Sequence, residues 1–77
     1  MISNRDTAKL VVDTAFALTS GLDRSVARVM ETSPEAEVVA YRRAVGFVMA
    51  ETAQQILNPL LREHPDLVPE DWKPWFK

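Results

Sequence analysis

The apolar residues between positions 38 and 61 recur with helical spacing, and they lie on more than one side of the predicted helix. Phe47 lies opposite the main apolar stripe, with Ala36, Ala40 and Ala50 around it. A helix on the surface of a soluble domain normally has one apolar stripe and a broad polar face. The pattern therefore predicts that one partner helix covers the stripe and that something else covers the side of Phe47. The stripe, at i, i+3/i+4, i+7 spacing, holds Val38, Val45, Met49, Ala53, Ile56 and Leu60.

Small residues are concentrated on the side of Phe47. A glycine inside a helix costs roughly 1 kcal/mol relative to alanine, so Gly46 favours a close approach by another backbone. The alternative is a glycine that a long helix simply tolerates. We expect this side to form an interface with a second copy of the chain, through Ala40, Ala44, Gly46, Phe47 and Ala50.

A second helical pattern precedes this stretch and predicts a first helix over residues 4–31. Ser3 is the expected N-cap, and Asp6 lies in the first turn, where a carboxylate is favourable. The apolar phase continues through Gly21, so we predict one helix; two short helices separated at Gly21 are the alternative. Its stripe holds Ala8, Val11, Val12, Ala15, Leu18, Leu22, Val26 and Val29.

The segment Thr32-Ser33-Pro34-Glu35 predicts a helix start, with Ser33 or Thr32 as the N-cap and Pro34 in the first turn. Such a short connection predicts an antiparallel hairpin. Folding the chain about this turn places Arg28 near Glu37 and Arg24 near Tyr41.

The second helix is predicted over residues 34–63, although it contains a proline. Pro59 removes a hydrogen bond and clashes with the preceding turn. Since the apolar phase persists through Leu60 and Leu61, we favour a kinked or barely interrupted helix. The alternative is a new short helix capped by Asn58.

The last residues, 65–77, form an irregular tail rich in proline and aromatic residues. Its aromatic residues either dock on the helices or form a motif for another protein. We favour docking, because a short chain has little other apolar surface to bury. The expected docking residues are Trp72, Trp75 and Phe76.

Length and composition limit the chain to one helical domain over residues 1–77, and they favour self-association. A chain of 77 residues rarely gains more than about 3–5 kcal/mol from its core without disulfides, metal or oligomerisation. It has no cysteine, so oligomerisation is the remaining support. The net charge of −2, with both signs interspersed, gives no basic patch for nucleic acid or an anionic membrane. No apolar run approaches the ~18 residues of a membrane span, and the N-terminal residues do not have the pattern of a signal peptide. A cytoplasmic location is therefore expected.

Four arginines and one tyrosine are the candidate ligand-binding residues. Arg42 falls on the apolar stripe, where a charged group must be paired or reach water. We expect it to extend to solvent and pair with an acid; an anion site is the alternative, because the guanidinium suits phosphate and carboxylate. The set near the turn is Arg24, Arg28, Arg42, Arg43 and Tyr41.

No residue pattern predicts catalysis, a metal or a cofactor. Glu63 and His64 are adjacent in sequence and point in different directions on a helix, so they do not form a catalytic pair. A histidine at a helix end is favoured by the helix dipole. We therefore expect His64 to have a structural role, with no catalytic or metal-binding residues in the chain.

These patterns predict an all-α protein: a long antiparallel helical hairpin that dimerises into a four-helix bundle, with the tail packed on it. The expected function is that of a small non-catalytic interaction or adaptor module acting as a homodimer. The alternative is a small-molecule or anion binder, with or without catalysis, that uses the arginines at the dimer seam. A further possibility is that a different protein covers the second apolar face.

Overall fold

The computed structural model describes residues 1–74 and contains a helical hairpin, as the sequence predicts. Helix α1 spans Arg5–Thr32, and helix α2 spans Glu35–Thr52. A π-helical segment, Ala53–Leu57, joins α2 to the short helix α3, Asn58–Glu63. Two 3₁₀ turns follow, Pro65–Leu67 and Glu70–Trp72.

Helix α1 is continuous through Gly21, which confirms the prediction of a single helix. A Cβ atom added at Gly21 would meet nothing within 4 Å, so no neighbouring backbone requires a glycine there. The prediction of Ser3 as N-cap is wrong by one residue. The cap is Asn4, whose side-chain oxygen accepts a hydrogen bond from the Thr7 amide at 2.9 Å.

The predicted side-chain caps of α2 do not form. Pro34 occupies the N-cap position, and no side chain caps the helix. Thr32 instead donates its hydroxyl to the Arg28 carbonyl at 2.9 Å, and the Ser33 amide donates to Val29 at 3.0 Å. Both residues therefore finish α1 rather than begin α2. The proline fixes the entry angle of α2 by its own restricted φ.

The helix passes Pro59 without a break, because the preceding turn widens. The Asn58 amide donates to the Ala53 carbonyl, five residues back, in the π-helical pattern. A proline ring in a regular α-helix collides with the carbonyl four residues earlier. The wider turn displaces that part of the backbone, so Pro59 sits in the first turn of α3. This agrees with the prediction of a barely interrupted helix.

The buried core lies at the open end of the hairpin, away from the turn. Its fully buried side chains come from the start of α1, the end of the second helical run and the tail. Towards the turn, Val45 is the buried apolar residue of α2, so the two helices cover less of each other there. The core cluster holds Ala8, Val12, Ala15, Leu57, Leu60, Leu61 and Val68.

The tail returns to the hairpin at its open end. Val68 belongs to the buried core, and the Trp72 ring meets the Phe16 ring edge to face, with centroids 5.1 Å apart. This geometry is the favourable one for two aromatic rings. Trp75 and Phe76 lie outside the described residues.

Polar contacts hold the start of the chain against the end of α3. The Glu63 carboxylate accepts hydrogen bonds from the Met1 amine at 2.8 Å and from the Ile2 amide at 3.3 Å. These hydrogen bonds lower the pKa of Glu63. The His64 ring nitrogen Nε2 lies 2.7 Å from the Ile2 carbonyl oxygen. His64 is thus a structural contact between two parts of the chain.

Replacing Leu61 by alanine should destabilise the chain by about 2–5 kcal/mol. Leu61 is 0% exposed, so truncation removes buried methyl groups and leaves a cavity. Leu18→Ala is the matched control, because Leu18 is 49% exposed and its loss should cost much less. Chemical denaturation followed by circular dichroism measures both. Equal losses for the two variants would contradict the position of the core.

Stability should fall in acid as the ion pair between Arg5 and Asp66 is lost. The hydrogen bond from Arg5 lowers the pKa of Asp66 in the folded chain. The ion pair therefore contributes fully to the stability of the folded chain above the ordinary aspartate pKa of about 3.9. This contribution is lost as the pH falls through the lower pKa that Asp66 has in the folded chain.

The melting temperatures of the wild type and Asp66→Asn, recorded from neutral pH down to about pH 3, test this linkage. The wild type should be the more stable at neutral pH, and the difference should shrink in acid. Asp23→Asn is the control, since Asp23 has no ion pair among residues 1–74. A difference independent of pH would rule out the ion pair as its source.

Candidate interaction surface

One side of α2 is apolar and uncovered, and we call it the outer face of α2. It is the side turned away from α1. Val39 and Val48 lie at its two edges, beside Gly46, and all its residues are exposed. Its central residues are Ala36, Ala40, Ala44, Phe47 and Ala50.

Phe47 is the largest apolar side chain on this face, and it is 68% exposed. Val45, two positions earlier, is buried against α1. Two residues in a helix point about 200° apart, so the backbone that buries Val45 must turn Phe47 outward. The exposure of Phe47 thus follows from the hairpin itself and not from a loose local fold.

The shape of the chain leaves more surface than a compact protein of this size. Its radius of gyration is 14.7 Å and its extents are 44 × 24 × 18 Å, whereas a compact chain of this length has a radius of about 11.5 Å. The accessible surface is 5562 Å², against about 4,700 Å² for a folded monomer of this mass. The excess of about 800 Å² follows from the elongated shape of the whole chain.

Two opposite charges flank Phe47 at the borders of the outer face, one on an exposed residue, Arg43, and one on a half-buried residue, Glu51. Arg43 is four residues before Phe47 and Glu51 is four residues after it. At 1.5 Å per residue they are about 12 Å apart along the helix axis. Among residues 1–74, neither has an ion-pair partner within 4.0 Å. Glu51 accepts only a long hydrogen bond, at 3.4 Å, from Gln55.

No contact among residues 1–74 requires a glycine at position 46. A Cβ atom built there would meet nothing within 4 Å, so no backbone of the described residues comes close. The close approach that the sequence favoured for this glycine is therefore not made within residues 1–74.

The candidate ligand-binding residues lie on different surfaces. Arg24 and Arg28 are exposed on α1, and Arg28 pairs with Glu31 at 3.4 Å. Arg43 belongs to the outer face of α2. Tyr41 is half-buried between the helices, where its hydroxyl lies 2.6 Å from that of Ser25. The Ser25–Tyr41 contact sets the register of the hairpin one residue from the predicted one.

Arg42 lines a groove beside the turn. The groove has a volume of about 310 Å³ and is open to solvent. Arg42 is exposed there, as expected, but the expected ion pair is not found, because no acid of residues 1–74 lies within 4.0 Å of it. Glu35 lines the same groove and brings a negative charge to it. The other lining residues are Met30, Ser33, Val38 and Val39.

Residues 1–74 contain neither a candidate metal-binding cluster nor a candidate membrane-spanning helix. Residues 1–74 bring together no group of three or more histidine, cysteine, aspartate or glutamate side chains that could hold a metal ion. Over the same residues, no helix has the length and apolar character needed to cross a membrane.

The sequence pattern groups Arg43 with the arginines near the turn, and Glu51 is one of the polar residues of the second predicted helix. The structure shows that both flank Phe47 at the borders of the outer face. The signal was available in the helical repeat, which puts each of them within about 40° of Phe47 around the axis. It was missed because each charge was considered with its sequence neighbours.

Comparison of the chain with protein-family models, with curated proteins and with solved structures found no match.

Proposed function

We propose that the chain is a small non-catalytic interaction module that acts as a homodimer through the outer face of α2. The single observation that carries the proposal is Phe47, exposed at the centre of an apolar helix face. Contiguous exposed apolar surface on a small protein commonly marks a site of protein association. The assembly contains four helices, two from each hairpin.

A second copy of the chain is the occupant that the surface favours. The face is rich in alanine, which lets two helices approach closely, and it carries charges of both signs, so it is complementary to itself. A twofold dimer needs such a self-complementary patch, because each copy contributes the same residues.

The energetics of a short chain also favour pairing. A core of this size supplies about 3–5 kcal/mol on its own, and in this chain it lies mainly at one end of the hairpin. In the dimer, the outer face would be buried beside the half of the hairpin near the turn, where fewer side chains are buried. Stability then depends on protein concentration, since folding and association are linked.

Replacing Phe47 by aspartate should dissociate the dimer and leave the hairpin helical. Phe47 is mostly exposed in the single chain, so a charge there is tolerated by the monomer but not by an apolar interface. Leu10→Asp is the matched control, because Leu10 is 65% exposed on the far side of α1. Sedimentation equilibrium at micromolar concentration gives the mass, and circular dichroism reports helicity.

The expected result is a dimeric wild type, a dimeric Leu10→Asp and a monomeric, helical Phe47→Asp. A wild type that sediments as a stable monomer would overturn the homodimer. A Phe47→Asp protein that stays dimeric would show that the interface lies elsewhere.

The groove beside the turn supports a second candidate, an anion or small-molecule site. Arg42 reaches this groove and has no ion-pair partner within 4.0 Å among residues 1–74. A free guanidinium suits phosphate or carboxylate. This candidate ranks second because Glu35 lines the same groove and opposes an anion.

Replacing Arg42 by leucine should keep the fold and change the melting temperature little, since Arg42 is exposed. If the groove binds anions, inorganic phosphate should raise the melting temperature of the wild type, and the gain should be absent in Arg42→Leu. Arg24→Leu, on the far side of α1, is the control. Equal effects of phosphate on all three proteins would reject the site and indicate a general salt effect.

A further inference from the structure

We infer that two copies of the chain pair with their α2 helices antiparallel, centred on Phe47, and that Arg43 of each copy forms an ion pair with Glu51 of the other. This inference rests on the proposed homodimer and adds its orientation and register. It also places the two α2 helices at the centre of the assembly, with α1 of each copy on the outside.

The position of the charges sets the register. Arg43 and Glu51 lie equal distances before and after Phe47 along α2. A twofold axis through Phe47, perpendicular to α2, therefore brings Arg43 of one copy to the height of Glu51 of the other, twice. With helix axes about 10 Å apart, which two facing phenylalanines require, the first side-chain carbons of each pair are about 6.5 Å apart. This is close to the spacing at which i, i+4 ion pairs form on one helix.

Parallel pairing uses the same face but brings like charges together. A twofold axis parallel to the helices places Arg43 of one copy beside Arg43 of the other, and Glu51 of one copy beside Glu51 of the other. Like charges at such spacing are unfavourable, and both α2 dipoles would also point the same way. Antiparallel pairing removes both penalties.

The small residues leave room for the central rings in this arrangement. Ala44 and Ala50 lie three residues before and after Phe47, so Ala44 of one copy lies at the height of Ala50 of the other, beside the rings. Neither side chain extends beyond its Cβ atom, so the two Phe47 rings can pack between the helices. Larger residues at these positions would hold the helices apart.

The placement of Phe47 also defines which sides of the hairpins meet. The stripe that contacts α1 includes Val45, on the opposite side of α2 from Phe47. Each α2 therefore has α1 of its own chain on one side and α2 of its partner on the other. The four helices form a row, in contrast to a closed bundle, in which each helix turns one common side inward.

Charge reversal tests the orientation in the full chain. R43E and E51R each turn two attractive pairs into two repulsive ones, so each should weaken dimerisation by about tenfold or more. R43E combined with E51R in the same chain exchanges the charges and should restore association to near the wild-type value. Arg24→Glu is the control, since Arg24 lies on the far side of α1. Sedimentation equilibrium gives the dissociation constants.

Cysteine cross-linking provides an independent measurement, because the natural chain has no cysteine. Ala40 and Gln54 lie seven residues before and after Phe47. Antiparallel pairing predicts that a mixture of A40C and Q54C chains forms mainly the mixed disulfide on oxidation. Parallel pairing predicts instead that each variant cross-links mainly to itself.

The outcomes separate this inference from the proposal beneath it. A monomeric wild type would overturn both the homodimer and its register. A dimeric wild type whose association is unaffected by R43E and E51R, with each cysteine variant cross-linking to itself, would keep the homodimer and overturn the antiparallel register. Loss in both single variants, recovery in the double variant and a mixed disulfide would support the inference.

Discussion

The structure depends on one geometric constraint: a hairpin of two helices can cover only one side of α2. The residues that contact α1 include Val45, and the helical repeat then turns Phe47 away from it. No rearrangement within the hairpin can bury both, because two residues of one helix two positions apart point in nearly opposite directions. The apolar outer face is therefore a property of the fold as a whole.

The position of the buried core shows how this constraint affects the stability of the chain. At the open end, α1, α3 and the tail surround Leu60 and Leu61, and polar contacts from Arg5 to Asp66 hold the same end together. Near the turn there are only two helices and few buried side chains. The proposed dimer adds contacts beside this less buried half, so folding and association would support each other.

Charge has a different role from apolar area in the proposed dimer. Burial of Phe47 and the alanines would supply most of the free energy, because exposed ion pairs contribute little. Arg43 and Glu51 distinguish between two ways of pairing the same face. The energetic difference between attraction and repulsion is larger than the value of either pair alone, so in the proposed dimer two modest charges would orient a surface made mainly of alanine around Phe47.

The sequence by itself determined the helices, the antiparallel hairpin and the two-sided apolar character of α2, because these follow from periodicity within a single segment. It also indicated that α1 continues through Gly21 and that the second helical run survives Pro59. The caps of α2 were misplaced, because the Thr32 hydroxyl donates to the Arg28 carbonyl in α1, and local sequence does not rank this bond against capping of α2. Only the tertiary structure decided that the core lies at the open end and that Trp72 meets Phe16. These features depend on distances between residues remote in sequence, and no local pattern encodes them.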